Sequence, residues 1–216
     1  MLKAHLDRTV LKYPDVAVRA GGETFLIPRA MITSDAGWRA DLRRLAGCWD
    51  AREGGVVQAA SFVAGCDQAR AFRLKVPPQA IGGEASGRPV EAVFWTAYAP
   101  PAEHLPQLMQ AWRGDGEWAG RRLVVRADWS VVRLESGSSP WVHLLAREPR
   151  AGERIQELYA GRCYRPEPLS DAGMTCTAVV RIGHSAAFEY SLGPDEVMGF
   201  GVLRVGFDAL ARRWRR

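Results

Sequence analysis

No stretch of this chain approaches the ~20 consecutive apolar residues that a membrane-spanning helix needs. The opening residues, Met1-Leu2-Lys3-Ala4-His5, carry no apolar core of a secretory signal. Met1 is therefore read either as a native start or as a start that replaced a removed leader. There is no G-x-x-x-x-G-K-[ST] phosphate loop, no G-x-G-x-x-G fingerprint and no G-x-S-x-G nucleophile elbow. The four histidines, His5, His104, His143 and His184, form no H-E-x-x-H or other metal spacing. The four cysteines include no C-x-x-C, which excludes the usual zinc-knuckle and thioredoxin-type readings. No cofactor, metal or catalytic residue is expected from these patterns.

What is present belongs to an ordinary globular chain. Its 216 residues suffice for one large domain or two small lobes. Hydrophobic residues make up 47% and charged residues 25%, so a packed core is expected. Eight tryptophans supply large apolar surfaces for cores and interfaces. The net charge of +5 favours acidic partners. The cysteines fall as two local pairs, Cys48/Cys66 and Cys163/Cys176, each flanking a loop. Three connectivities are open. Local pairing is the expectation, with about 3 kcal/mol of stabilisation per bridge and an oxidising compartment for the protein. The alternative is four reduced, buried thiols.

Periodicity gives the elements. Val16–Arg19 and Thr24–Ile27 flank Gly21-Gly22, a hairpin signal. Trp38, Leu42, Leu45 and Trp49 share the spacing of one helical face, with Ser34 or Asp35 as cap. Strands are expected over Val56–Val63 and Ala71–Val76, then an exposed loop over 79–89. Val90–Tyr98 alternates, with Val90, Ala92, Phe94, Thr96 and Tyr98 on one face. A helix carrying Leu105, Leu108, Met109 and Trp112 follows, with Pro106 in its first turn. Arg121–Glu135 reads as a hairpin turning at Ala127–Ser130, and Trp141–Leu145 as a strand. Glu153–Tyr159 reads as a short helix. Thr177–Tyr190 is a β-run broken at Gly183-His184-Ser185, and Leu203, Phe207, Leu210 and Trp214 mark the last helix.

The pattern predicts an α+β fold: mostly antiparallel sheet backed by helices. A strand–break–helix unit that closes on tryptophan recurs, which suggests two similar lobes. The chain is read as a single unit, 1–216, with lobes 1–148 and 149–216 meeting at the polar stretch Glu148–Gly152. The single chemistry-bearing residues have plain structural readings. Gly183-His184 suits a hairpin turn, Asp195 and Glu196 suit a helix N-terminus, and the terminal arginines around Trp214 suit a helix C-terminus. A hydrolase assembled in space would need His143 or His184 in a pocket beside a serine or carboxylate. A nucleic-acid or anionic-surface binder would use the arginine tail.

Two stretches carry a family resemblance. The first runs Gly161-Arg162-Cys163, then Met174-Thr175-Cys176-Thr177, Phe188-Glu189-Tyr190, Gly193-Pro194 and Ala211-Arg212-Arg213-Trp214. The second runs from Gly65-Cys66 through Phe72-Arg73-Leu74-Lys75-Val76-Pro77. Together they resemble periplasmic immunity proteins that accompany lipase effectors of type VI secretion systems. The resemblance covers about a third of the chain. It implies a protein that binds a cognate toxic effector and blocks its active-site access, with no catalytic residues of its own and no nucleic acid as partner. The loop 79–89 and the loop between Cys163 and Cys176 are the expected contact regions, since loops on a rigid scaffold carry recognition.

Overall fold

Residues 15–32, 71–83, 87–167, 170–183 and 185–216 are described by the computed structural model. The expected helix over 38–49, the strand over 56–63, Cys48 and Cys66, and His5 and His184 lie outside the described residues.

The Gly-Gly signal makes its turn. Strands β1 (Asp15–Ala20) and β2 (Glu23–Pro28) pair antiparallel across Gly21 and Gly22. Both glycines have positive φ, 58° and 86°, as a hairpin with matching twist requires. The remaining strands form one eight-stranded sheet. In chain order they are β3 (Ala71–Val76), β4 (Val90–Trp95), β5 (Arg122–Arg126), β6 (Val131–Glu135), β7 (Trp141–Leu145), β8 (Tyr159–Tyr164), β9 (Thr175–Ile182) and β10 (Ala186–Leu192). Their spatial order is β3-β4-β10-β9-β8-β7-β6-β5, and every neighbouring pair is antiparallel. The α+β expectation holds in this form. The chain lays down β3 and β4 at one edge and crosses to the other through helix α1 (His104–Arg113). It returns as a six-strand meander that closes on β4. Residues 148–152, where the two lobes are expected to meet, link β7 to its sheet neighbour β8.

Alternation sends side chains to two faces, and among the described residues one helix covers each. Ala92, Phe94, Ala178, Val180, Phe188 and Tyr190 share a core with helix α2 (Phe200–Trp214). The register places Phe94 opposite Phe188 and Phe188 opposite Val180, so these rings stand on one face. Phe207 lies 4.9 Å from the Phe188 ring and 4.6 Å from Tyr190, and Trp214 lies 5.4 Å from Phe188. Each fully buried ring of this kind contributes roughly 1.5–3 kcal/mol. The opposite face carries Val132, Leu134, Val179 and Ala187, covered by Leu108 and Ala111 of α1 and by Trp118. Gly114 ends α1 in the left-handed region, φ 79°, and returns its N–H to Gln110.

Three places depart from the plain sequence pattern. The helix expected over Glu153–Tyr159 shrinks to a turn, Ile155–Leu158, because Tyr159 begins β8. That strand does not alternate: a bulge between Leu144 and Leu145 of β7 leaves Ala160 as the extra residue. Gly161 accommodates it at φ 124°, where a Cβ would stand 2.1 Å from the Thr177 carbonyl. The third change is at 79–89. Its first part is a turn, Pro78–Ile81, that buries Ile81, and residues 84–86 lie outside the described residues.

Candidate functional site

Helix α2 is apolar on two sides. Its inner stripe, Phe207, Leu210 and Trp214 with partly buried Leu203, packs on the sheet as its spacing predicts. A second stripe, Val202 and Val205 with Met198 of the turn just before the helix, faces water at 61%, 58% and 79% exposure. Ala209 continues it, at the same spacing of 4, 3 and 4. Sequence reading passed over this stripe, although its periodicity is as clear as that of the inner one. Two apolar stripes on one helix cannot be ranked by pattern alone.

The helix is clamped by two turns. Gly201 sits so close to the turn Ala127–Trp129 that a Cβ would lie 1.8 Å from the Asp128 carbonyl. Gly206 sits against the turn Pro78–Ile81, with 2.1 Å from such a Cβ to the Ile81 carbonyl. The Arg213 guanidinium donates to the Ala80 carbonyl. Between the turns runs a groove of about 830 Å³, with Val202, Val205 and Ala209 as floor. Gln79–Gly82 forms one wall, and Asp128 and Ser130 the other. Arg212 and Arg213 close one end, Arg212 in an ion pair with Asp208. The outcome is a rigid, shallow apolar surface with charged groups at its margin.

Behind the Trp129 turn lies a buried ionic network. Glu135, 3% exposed, accepts from Arg122 at 2.8 Å and Arg165 at 3.2 Å and forms an ion pair with Arg133 at 2.8 Å. Asp171 takes both ends of Arg133, at 2.7 and 2.8 Å, and Arg126 at 3.2 Å. Arg133, ahead of Arg126, holds the Asp171 carboxyl below the usual range, and burial opposes it. Arg126 is also bidentate to Asp128 and lies 4.6 Å over the Trp129 ring. This network ties the loop 165–171 to the sheet. The Cys163–Cys176 disulfide closes the base of that loop, joining directly opposed residues of β8 and β9. Among the described residues no cysteine is free. The loop expected to make contacts is thus braced at Arg165 and Asp171 by buried partners, and residues 168 and 169 lie outside the described residues.

The other sequence-predicted residues that are described take places in the core or in turns and ion pairs. His104 Nδ1 lies 2.9 Å from the Tyr159 hydroxyl in a buried hydrogen bond. His143 is fully buried in β7 with neither ring nitrogen hydrogen-bonded, 5.2 Å from the Trp118 ring. Burial first, and then the nearby Arg162, pushes it down to about 4. Among the described residues no serine or carboxylate hydrogen-bonds to either ring. Among the described residues no three His, Cys, Asp or Glu side chains stand together as a metal site. The Glu196 carboxylate accepts the Gly193 N–H at 2.8 Å, a turn-closing role. The arginine tail is bound down: Arg215 pairs with Glu23 at 3.2 Å, and the Arg216 N–H reaches the Thr24 carbonyl at 2.9 Å. Trp214 is core, 5% exposed.

No helix among the described residues is long and apolar enough to cross a membrane. Compared with known proteins, the chain matches no family model, no curated protein and no solved structure.

Proposed function

We propose that this chain is an immunity-type binding protein, which holds a toxic secreted effector of the lipase class and covers the entrance to its active site. The observation that carries the reading is the outer stripe of α2, Val202 and Val205, open to water with Met198 of the preceding turn on a helix that two turns hold in place. A pre-positioned apolar patch with charged margins loses little conformational freedom on binding and releases water from both partners. Arg212 and Arg213 at its end, and the net charge of +5, favour an acidic effector surface and speed encounter with it. The disulfide between β8 and β9 suits an oxidising compartment, and the periplasm is the one proposed.

The test is inhibition of ester hydrolysis by a panel of lipase-type effectors, titrated with the purified chain. Hydrolysis by one of them is expected to stop near equimolar ratio. Val202→Asp combined with Val205→Asp is expected to weaken that inhibition on the order of a hundredfold, as losses at central apolar anchors do. Hydrolysis untouched by the chain across the panel overturns the function. Inhibition that survives both substitutions overturns the placement on α2.

A further inference from the structure

The two edges of the large sheet are finished differently. At the β3 edge, Ile32 bridges Leu74, and the strand ends at Pro77-Pro78. At the β5 edge, Arg122-Leu123-Val124-Val125-Arg126 pairs with β6 in unbroken register and, among the described residues, with nothing on its outer side. It carries no proline and no bulge, and its charged residues, Arg122 and Arg126, sit at its two ends and leave the middle of the edge apolar. Two of its apolar residues are open, Leu123 at 43% and Val125 at 60% exposure. They stand on the same face as Leu134 and Val132, their partners on β6, which are 0% and 4% exposed in the α1 core. That core therefore runs to the edge of the sheet and stops at water.

We infer that β5 is a self-association strand: a second copy of this chain pairs with it antiparallel, about a two-fold axis at Val124, and joins the two sheets into one. The strand's own order selects this occupant. By residue class it reads the same in both directions: Arg, apolar, Val, apolar, Arg. Reversal about Val124 sets Leu123 opposite the second copy's Val125, and each apolar row continues from β6 of one copy to β6 of the other. The same reversal sets Arg122 opposite Arg126 of the second copy. Each of these arginines already has carboxylate partners in its own copy, Arg122 on Glu135 and Arg126 on Asp128 and Asp171. Their mutual repulsion is correspondingly reduced. An acidic or unrelated strand would gain the backbone ladder but not this register. The strand adjoins the α2 groove at Asp128, the partner of Arg126, but lines no part of it, and the inference does not depend on the function proposed above.

Sedimentation velocity on the full chain, over a range of micromolar concentrations, is expected to show a dimer that dissociates on dilution. Val125→Lys, at an exposed position, is expected to give the monomer mass while the circular-dichroism melt stays that of the parent. Cysteine cross-linking tests the register without relying on that variant. Val124→Cys is expected to give a disulfide-linked dimer on mild oxidation. Leu123→Cys alone is expected to give none, and its mixture with Val125→Cys a linked heterodimer, because only opposed positions come within disulfide reach. A monomer at every concentration overturns the inference. So does a dimer that Val125→Lys leaves intact, or one in which Val124→Cys does not cross-link.

Discussion

At the residue scale the informative groups are the buried polar ones. His143 sits in an apolar layer between Trp118 and the sheet, and burial together with Arg162 keeps its folded pKa at about 4 against an ordinary 6.5. Between those values the unfolded chain binds a proton that the folded chain refuses. Stability from this residue is complete above the unfolded value and is lost as pH falls toward the folded one, by about 1.4 kcal/mol per pH unit. His104 is lowered too, by burial and then Arg162, so it adds slope of the same sign. Urea midpoints for His143→Leu should therefore decline less between about pH 7 and about pH 5 than those of the parent. Equal declines would show that another group sets the acid limb. Sequence named this histidine but not its state, because burial depends on which strand lies beside β7 and which turn brings Trp118 over it.

At the element scale the glycines of α2 decide how closely the helix seats. A methyl at Gly206 would meet the Ile81 carbonyl, and that carbonyl belongs to backbone, which does not yield cheaply. Gly206→Ala is expected to destabilise by about 1–3 kcal/mol through overpacking, despite the better helix propensity of alanine. Gly199→Ala, with nothing within 4 Å of its added carbon, should stay within about 0.5 kcal/mol of the parent. Chemical denaturation of the two variants separates close packing from propensity, and matching midpoints would contradict the clamped helix. The elements most legible in the chain were those with one clean period: the Gly21-Gly22 hairpin, β4, α1 and α2. Strand β8 was illegible because its bulge at Ala160 breaks the alternation that would have announced it.

At the scale of the whole molecule the sheet is a meander whose strands β8 and β9 are also tied covalently. The Cys163–Cys176 bridge spans 13 residues, and a loop of that size loses about 3 kcal/mol of closure entropy in the unfolded chain. Cys163→Ala with Cys176→Ala is expected to lower unfolding stability by about that amount while the fold is retained, read as a shift in urea midpoint at constant slope. An unchanged midpoint would mean that the unbridged loop is already restricted in the unfolded chain. Strand order also sets where the two described strand-then-helix units, β4 with α1 and β10 with α2, lie on this sheet. Helix α1 crosses one face and α2 the other, and both serve the same eight strands.

Residue pattern by itself determined the class of structure, the positions of most strands and both described helices and the Gly-Gly turn, and it made Cys163 with Cys176 the expected pairing among three. These are local matters: period, turn chemistry and short loop closure act within about 15 residues. Tertiary structure alone decided which stripe of α2 is buried and which is open, which arginines surround Glu135, and which strand is left at the edge. Each depends on partners far apart in sequence. The 78–81 and 127–130 turns must arrive beside α2 before the outer stripe becomes a groove. β5 becomes an edge only because the chain crosses the sheet through α1 before it begins to meander.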